Sequence, residues 1–78
     1  TVIILGDARS NYGDPADELL QKIAERSRRL IWLNPETPPM WGTGDSEMRR
    51  YTRHCDLVME CNTLRHLERL VGILVRIP

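Results

Sequence analysis

With 78 residues, the chain has room for one domain or a piece of one, and a chain this short buries only about 60–65% of its unfolded surface. Eleven basic and eleven acidic side chains cancel, leaving no basic stripe to follow a nucleic-acid backbone. No apolar run approaches the length of a membrane span or resembles a signal peptide, so neither nucleic-acid nor membrane partners are expected.

The chain opens on an unbroken apolar run, Val2–Leu5, closed by Gly6 and Asp7. Such a run predicts a parallel strand over residues 2–6, buried on both faces. Asp7 then stands just past the carboxyl end of that strand, on the rim where open α/β sheets bind ligands. The competing reading of the same residue is a turn or helix cap. Residues 9–13 are small or polar and form a loop.

Asp14 and Pro15 are a helix start, Asp as N-cap and Pro at the first helical position, with Asp17 in the first turn. The helix is predicted over 15–28, with Leu19, Leu20, Ile23 and Ala24 as its apolar face. Arg26, Arg28 and Arg29 fall at its end, where the negative pole of the helix dipole and solvent account for them better than an anion site does. Leu30–Leu33 is a second apolar run, stopped by Asn34 and Pro35, which predicts a strand over 30–34. Strand, helix and strand make a βαβ unit with a right-handed crossover.

Residues 35–45 form a long loop rich in Pro and Gly, leaving the same rim as Asp7. Trp41 within it is expected to tuck against the sheet end or the next helix rather than to stack on a ligand. A short helix over 46–54 follows, with Asp45 or Ser46 as N-cap and Met48, Tyr51, Thr52 and Cys55 on one face. The strand predicted over 56–60 has charged ends and a short apolar run, which suits a sheet edge. Asn62 and Thr63 cap a last helix over 63–74, with Leu64, Leu67, Leu70, Val71 and Leu74 as its stripe. Residues 73–78 are apolar and are expected either to fray or to dock on something outside the chain.

Right-handed crossovers in one direction give a three-stranded parallel sheet in the order 1-2-3, a partial doubly wound, Rossmann-like α/β fold. The first two helices share a face, and the last is free to cover the other. The Val2–Leu5 strand is left on an open edge, for which it is too apolar. It is therefore expected to need a neighbour, from a larger domain of which residues 1–78 are a part, or from self-association with a second copy.

Cys55 and Cys61 flank the strand 56–60. Six extended steps separate them by roughly 20 Å, whereas a disulfide needs Cα atoms within about 7 Å. Two unbridged thiols suit a reducing, cytoplasmic setting. Their spacing with His54 and His66 matches no standard zinc pattern. Ser10, Ser27 and Ser46 have no evident His and acid partners, and the two histidines read as solvated side chains, so no catalytic residue is assigned and no enzyme is expected.

Three segments carry a family likeness: Ile4–Tyr12, then Ile31–Glu36, then Trp41–Ser46, with Tyr51, Cys55 and Asp56 at fitting distances behind them. Over nearly its whole length the chain resembles the carboxyl-terminal part of a von Willebrand factor A domain of the CoxE-like bacterial proteins. That resemblance implies a metal-ion-dependent adhesion site on the carboxyl rim, built from an Asp-x-Ser-x-Ser loop, a Thr, and an Asp after the fourth strand. Of these only the last has a counterpart, Asp7, which becomes the one candidate metal ligand. The resemblance implies Mg²⁺ or Mn²⁺ in a full-length parent. One carboxylate cannot satisfy an octahedral ion, so none is expected on this chain alone. It also implies a protein partner, a MoxR-type AAA+ ATPase, in metalloenzyme maturation. A shorter likeness, Leu5–Asn11, is to the Gly-Asp-Ala-Arg-Asn-Asn stretch of ornithine carbamoyltransferases, and implies an amino-acid pocket. A third alternative is an inactive α/β fragment.

Overall fold

The computed structural model of the chain describes residues 1–13 and 15–76. In chain order its elements are β1 (Val2–Leu5), α1 (Asp17–Arg26), β2 (Leu30–Asn34), a 3-10 turn (Pro38–Met40), α2 (Met48–Thr52), β3 (Leu57–Glu60) and α3 (Leu64–Leu74). The strands form one parallel sheet in the order β1-β2-β3, the expected architecture. Val2 stands opposite Leu30 and Leu5 opposite Leu33. Ile31 stands opposite Leu57 and Asn34 opposite Glu60.

β2 is the axis of the molecule, buried along its whole length. Its side chains alternate between the two faces, as a strand requires. Leu30 and Trp32 enter one core with Leu20 of α1 and Met48 and Tyr51 of α2. Ile31 and Leu33 enter the other with Cys61 and Leu70 of α3. So α1 and α2 cover one face and α3 the opposite one. Each fully buried Leu or Ile stabilises the fold by about 1.5–3 kcal/mol relative to exposure. At the amino end, Asp56 accepts from the Leu30 amide at 2.7 Å and its own amide donates to the Leu30 carbonyl at 2.8 Å, aligning the starts of β2 and β3.

Several sequence expectations need correction. β1 is not buried on both faces: Ile3 is 44% and Leu5 71% exposed, because among the described residues β2 is its sole neighbour in the sheet. Leu19 of α1 and Leu64, Leu67 and Val71 of α3 are likewise exposed. Each helix lies on a sheet only three strands wide, so a narrow strip of its apolar face finds cover. For α3 that strip is Leu70 and Leu74.

The helix ends also differ from expectation. α1 starts at Asp17, with Ala16 as N-cap and no side-chain cap. Its entry is held instead by the Ala16 amide, which donates to the Tyr51 hydroxyl at 2.8 Å; the expected cap, Asp14, lies outside the described residues. α2 is only five residues long. Asp45 does not cap it, since that carboxylate is engaged elsewhere on the rim. Ser46 Oγ accepts from the Met48 amide at 3.3 Å. α3 begins as expected, with Thr63 Oγ1 accepting from the His66 amide at 3.1 Å. The histidines are not merely solvated: His54 Nε2 donates to Asp17 Oδ1 at 2.9 Å, and His66 Nδ1 accepts from the Asn62 amide at 3.1 Å. Of the expected tail, residues 77–78 lie outside the described part.

Cys55 and Cys61 are unbridged and packed on opposite faces of the sheet. Burial, reinforced by the adjacent Asp56 charge, pushes the Cys55 thiol up to about 11.

Candidate functional site

The carboxyl ends of β1 and β2 open onto one rim, and two loops meet there. The loop after β1 carries Asp7 to Gly13; the loop after β2 carries Pro35 to Glu47. Asp7 is exposed at the first of these, directly after Gly6. Its Oδ1 accepts from the Arg9 amide two residues on, at 2.9 Å. This is a local turn contact of the kind Asp favours, and α1 begins far from it, so the residue caps no helix.

Below Asp7 the rim is anchored by Asn34, which has no solvent exposure. Its Nδ2 donates to the Asp7 carbonyl at 3.3 Å and to Met48 Sδ at 3.1 Å. Its Oδ1 accepts from the Glu36 amide at 2.9 Å. One buried amide thus ties the last residue of β2 to both loops and to α2. Trp32 adds a second anchor, its Nε1 donating to the Gly6 carbonyl at 2.8 Å. Trp41 does tuck inward, with Nε1 donating to the Glu36 carbonyl at 2.9 Å and its ring against the α1–α2 core.

Above the anchors lies an ionic clasp. Arg9 reaches Glu36 with two parallel bonds, Nε to Oε2 at 2.9 Å and Nη2 to Oε1 at 2.8 Å. Its Nη1 donates to Asp45 Oδ1 at 3.0 Å and to the Thr43 carbonyl at 2.8 Å. The other oxygen of Asp45 accepts from the Asn11 amide at 2.8 Å. The Arg9 guanidinium holds the Asp45 carboxyl below the usual carboxylate range, helped by the Asn11 amide. Glu36 first, then Asp45, hold the proton on Arg9 more firmly than usual. Arg9 and Ser46 also form an antiparallel bridge, and the Glu47 amide donates to the Ala8 carbonyl at 2.8 Å.

The loop held this way is strained. Ala8, Asn11 and Tyr12 all adopt positive φ, at 62°, 54° and 61°, where a non-glycine residue costs roughly 1–2 kcal/mol. Gly44 across the rim takes φ 56° at no such cost. Tyr12 stands 82% exposed beside these residues.

A divalent cation wants about six oxygens in Mg²⁺ geometry. Asp7 brings one carboxylate, while Glu36 and Asp45 are taken up by Arg9. Among the described residues no group of three or more His, Cys, Asp or Glu side chains could hold a metal ion. The residues present therefore do not by themselves fit Mg²⁺ or Mn²⁺.

A parallel sheet with helices on both faces, and with polar loops gathered on its carboxyl rim, defines an α/β domain of the doubly wound type. The model of the family described as "VWA domain containing CoxE-like protein" matches residues 1–70, and the chain belongs to that family. The three-stranded sheet and its helices are accordingly a partial VWA fold. The match covers nearly the whole chain, whereas the likeness to ornithine carbamoyltransferases is confined to Leu5–Asn11. No curated protein and no solved structure matches the chain.

Sequence reasoning placed Asp7 but missed Arg9, Glu36, Asp45 and Asn34. A signal was there for the first three: an arginine in one rim loop faces two acids in the other once the strands are laid side by side. Asn34 gave no such signal, since before proline it reads simply as a strand stop.

Proposed function

We propose that the chain is part of a protein-interaction module that acts in the cytoplasm, with the carboxyl rim as its capture face and Asp7 as the contact carboxylate. The observation that carries this reading is the placement of Asp7: exposed, at a strand end, on a loop clasped and anchored from below. A rigid rim with one outward carboxylate suits recognition, where preorganisation lowers the cost of binding. Membership of the VWA family and the absence of any nucleophile–base pair among the motifs favour binding over catalysis. Two unbridged thiols favour the reducing compartment. No helix among the described residues is long and apolar enough to cross a membrane.

The partner we propose is a MoxR-type AAA+ ATPase, in the maturation of a metalloenzyme. Mg²⁺ or Mn²⁺ enters this reading only in a longer polypeptide that supplies further oxygens beside Asp7. The test is a pull-down of the ATPase by such a polypeptide, with and without Asp7→Ala. Wild type captures it and the variant does not, while both keep the same far-UV circular dichroism. Equal capture by the two removes Asp7 from the contact.

A further inference from the structure

Resting on the reading of Asp7 as the contact group, we propose that Arg9 is the positioning residue of the rim. Its guanidinium fastens the strained loop after β1 to the loop after β2, and so fixes where the Asp7 carboxylate points.

What holds Asp7 is local. Its carboxylate has one hydrogen bond among the described residues, from the Arg9 amide. The direction of that N–H is set by the backbone at residue 9, and three sets of contacts fix that backbone. Ala8, on one side, gives its carbonyl to the Glu47 amide at 2.8 Å. Ser10, on the other, donates its amide to the Asp45 carbonyl at 3.2 Å. Between them the Arg9 side chain spans to Glu36, Asp45 and Thr43. Every one of these partners belongs to the opposite loop.

The strain gives the clasp its purpose. Three of the five residues after Asp7 sit at positive φ without being glycine. Left alone, Ala8 in particular would relax toward negative φ, swinging the Asp7 carboxylate with it. The Asn11 amide is held by the same Asp45 that holds Arg9, so the clasp pins both ends of the strained stretch. Among the described residues every non-glycine position at positive φ falls on this loop, and the ion pair sits on the same loop.

Chemistry explains why the residue is arginine. Three nitrogens act at once, in a planar fork: Nε and Nη2 on Glu36, Nη1 on Asp45 and Thr43. A lysine ammonium is a compact point charge and cannot span both carboxylates in this geometry. The clasp also has an electrostatic result. Of the four acids on the two rim loops, Glu36 and Asp45 are paired with Arg9 and Glu47 with Arg50, which leaves the Asp7 carboxylate, exposed at the strand end, as the one without an ion pair among the described residues.

The test uses the 78-residue chain and two variants, Arg9→Lys and Glu36→Gln, the second of which keeps Arg9 on Asp45. Three-bond couplings to the Asp7 carboxyl carbon report its χ1 rotamer, and amide exchange at Asn11 reports the clasp. Wild type should show one Asp7 rotamer. Both variants should show averaged couplings and Asn11 exchange faster by about tenfold or more, with Ile31 and Leu33 amides still protected. Unchanged Asp7 couplings in both variants overturn the proposal. In the longer polypeptide, Arg9→Lys should lose the ATPase as Asp7→Ala does. Averaged couplings together with equal capture by wild type and Asp7→Ala would remove the contact reading and leave the positioning in place.

Discussion

The side-chain amide of Asn34 donates to the backbone carbonyl of Asp7 from a position with no solvent exposure. An exposed residue of the rim is thus hung from a fully buried residue of the sheet. All the polar atoms of Asn34 have partners, on β2's own loop, on α2 and on the Asp7 carbonyl. Replacing it with Ala or Leu leaves the Glu36 amide and the Asp7 carbonyl short of partners. Asn34→Ala should cost about 1–3 kcal/mol, the range for a buried polar group left unsatisfied. Urea unfolding checks it. Amides 7–12 should lose protection before those of β2.

Asp7→Ala should behave in the opposite way. The residue is exposed and makes one short-range contact, so stability should change by no more than roughly 0.5 kcal/mol. A large loss in the same urea experiment would mean that the carboxylate is structural and the rim reading misplaced.

The clasp sets the acid limit of the rim. Arg9 depresses Asp45, so the native state releases this proton more readily than the unfolded chain. The stabilisation from this pair is therefore fully present above the ordinary carboxylate value of 3.8 and fades as pH falls below it. Asn11 amide exchange measured from pH 6 downward should quicken beyond the intrinsic trend only in that acid range. Asp45→Asn should remove the pH-dependent part.

Cys55 offers a test at the basic end. Its thiol is raised from 9.0 to about 11, so near pH 8 the native chain holds about a hundredfold less thiolate there than an unfolded one. Iodoacetamide should alkylate Cys55 slowly in the native protein and quickly in urea. The same shift makes this thiol stabilising below pH 9, an effect lost as pH rises toward 11.

The bare edge of β1 carries a further expectation. Ile3 and Leu5 are exposed on a strand with unpaired backbone groups, a template for pairing with another strand. The 78-residue chain should therefore self-associate with rising concentration in sedimentation experiments. Ile3→Lys should reduce that association, since an edge charge resists pairing. A monomer at all concentrations would show that the edge is protected in some other way.

Where sequence reasoning succeeded, the information was local and periodic. The three apolar runs, the Asn62–Thr63 start of α3 and the break at Pro35 each depend on a few adjacent residues. The parallel order followed from handedness alone. Burial was less legible. Leu19, Leu64 and Val71 have helical spacing but no cover, because spacing says which side chains share a face and not whether anything lies beneath them. The rim was the least legible part. Asp45 looked like a cap because its neighbours begin a helix, yet Arg9, 36 positions away, draws its carboxylate to the other loop. Contacts at that separation come from the topology, and become visible only once β1 and β2 lie side by side.

The rim around Asp7 is the proposed capture face. Amide exchange of the longer polypeptide, free and bound to a MoxR-type ATPase, locates the contact directly. Protection on binding should gather at residues 7–12 and 42–46, with α1 and α3 unaffected. Protection gathered on α1 or α3, with the Asp7 loop exchanging as in the free protein, would contradict it.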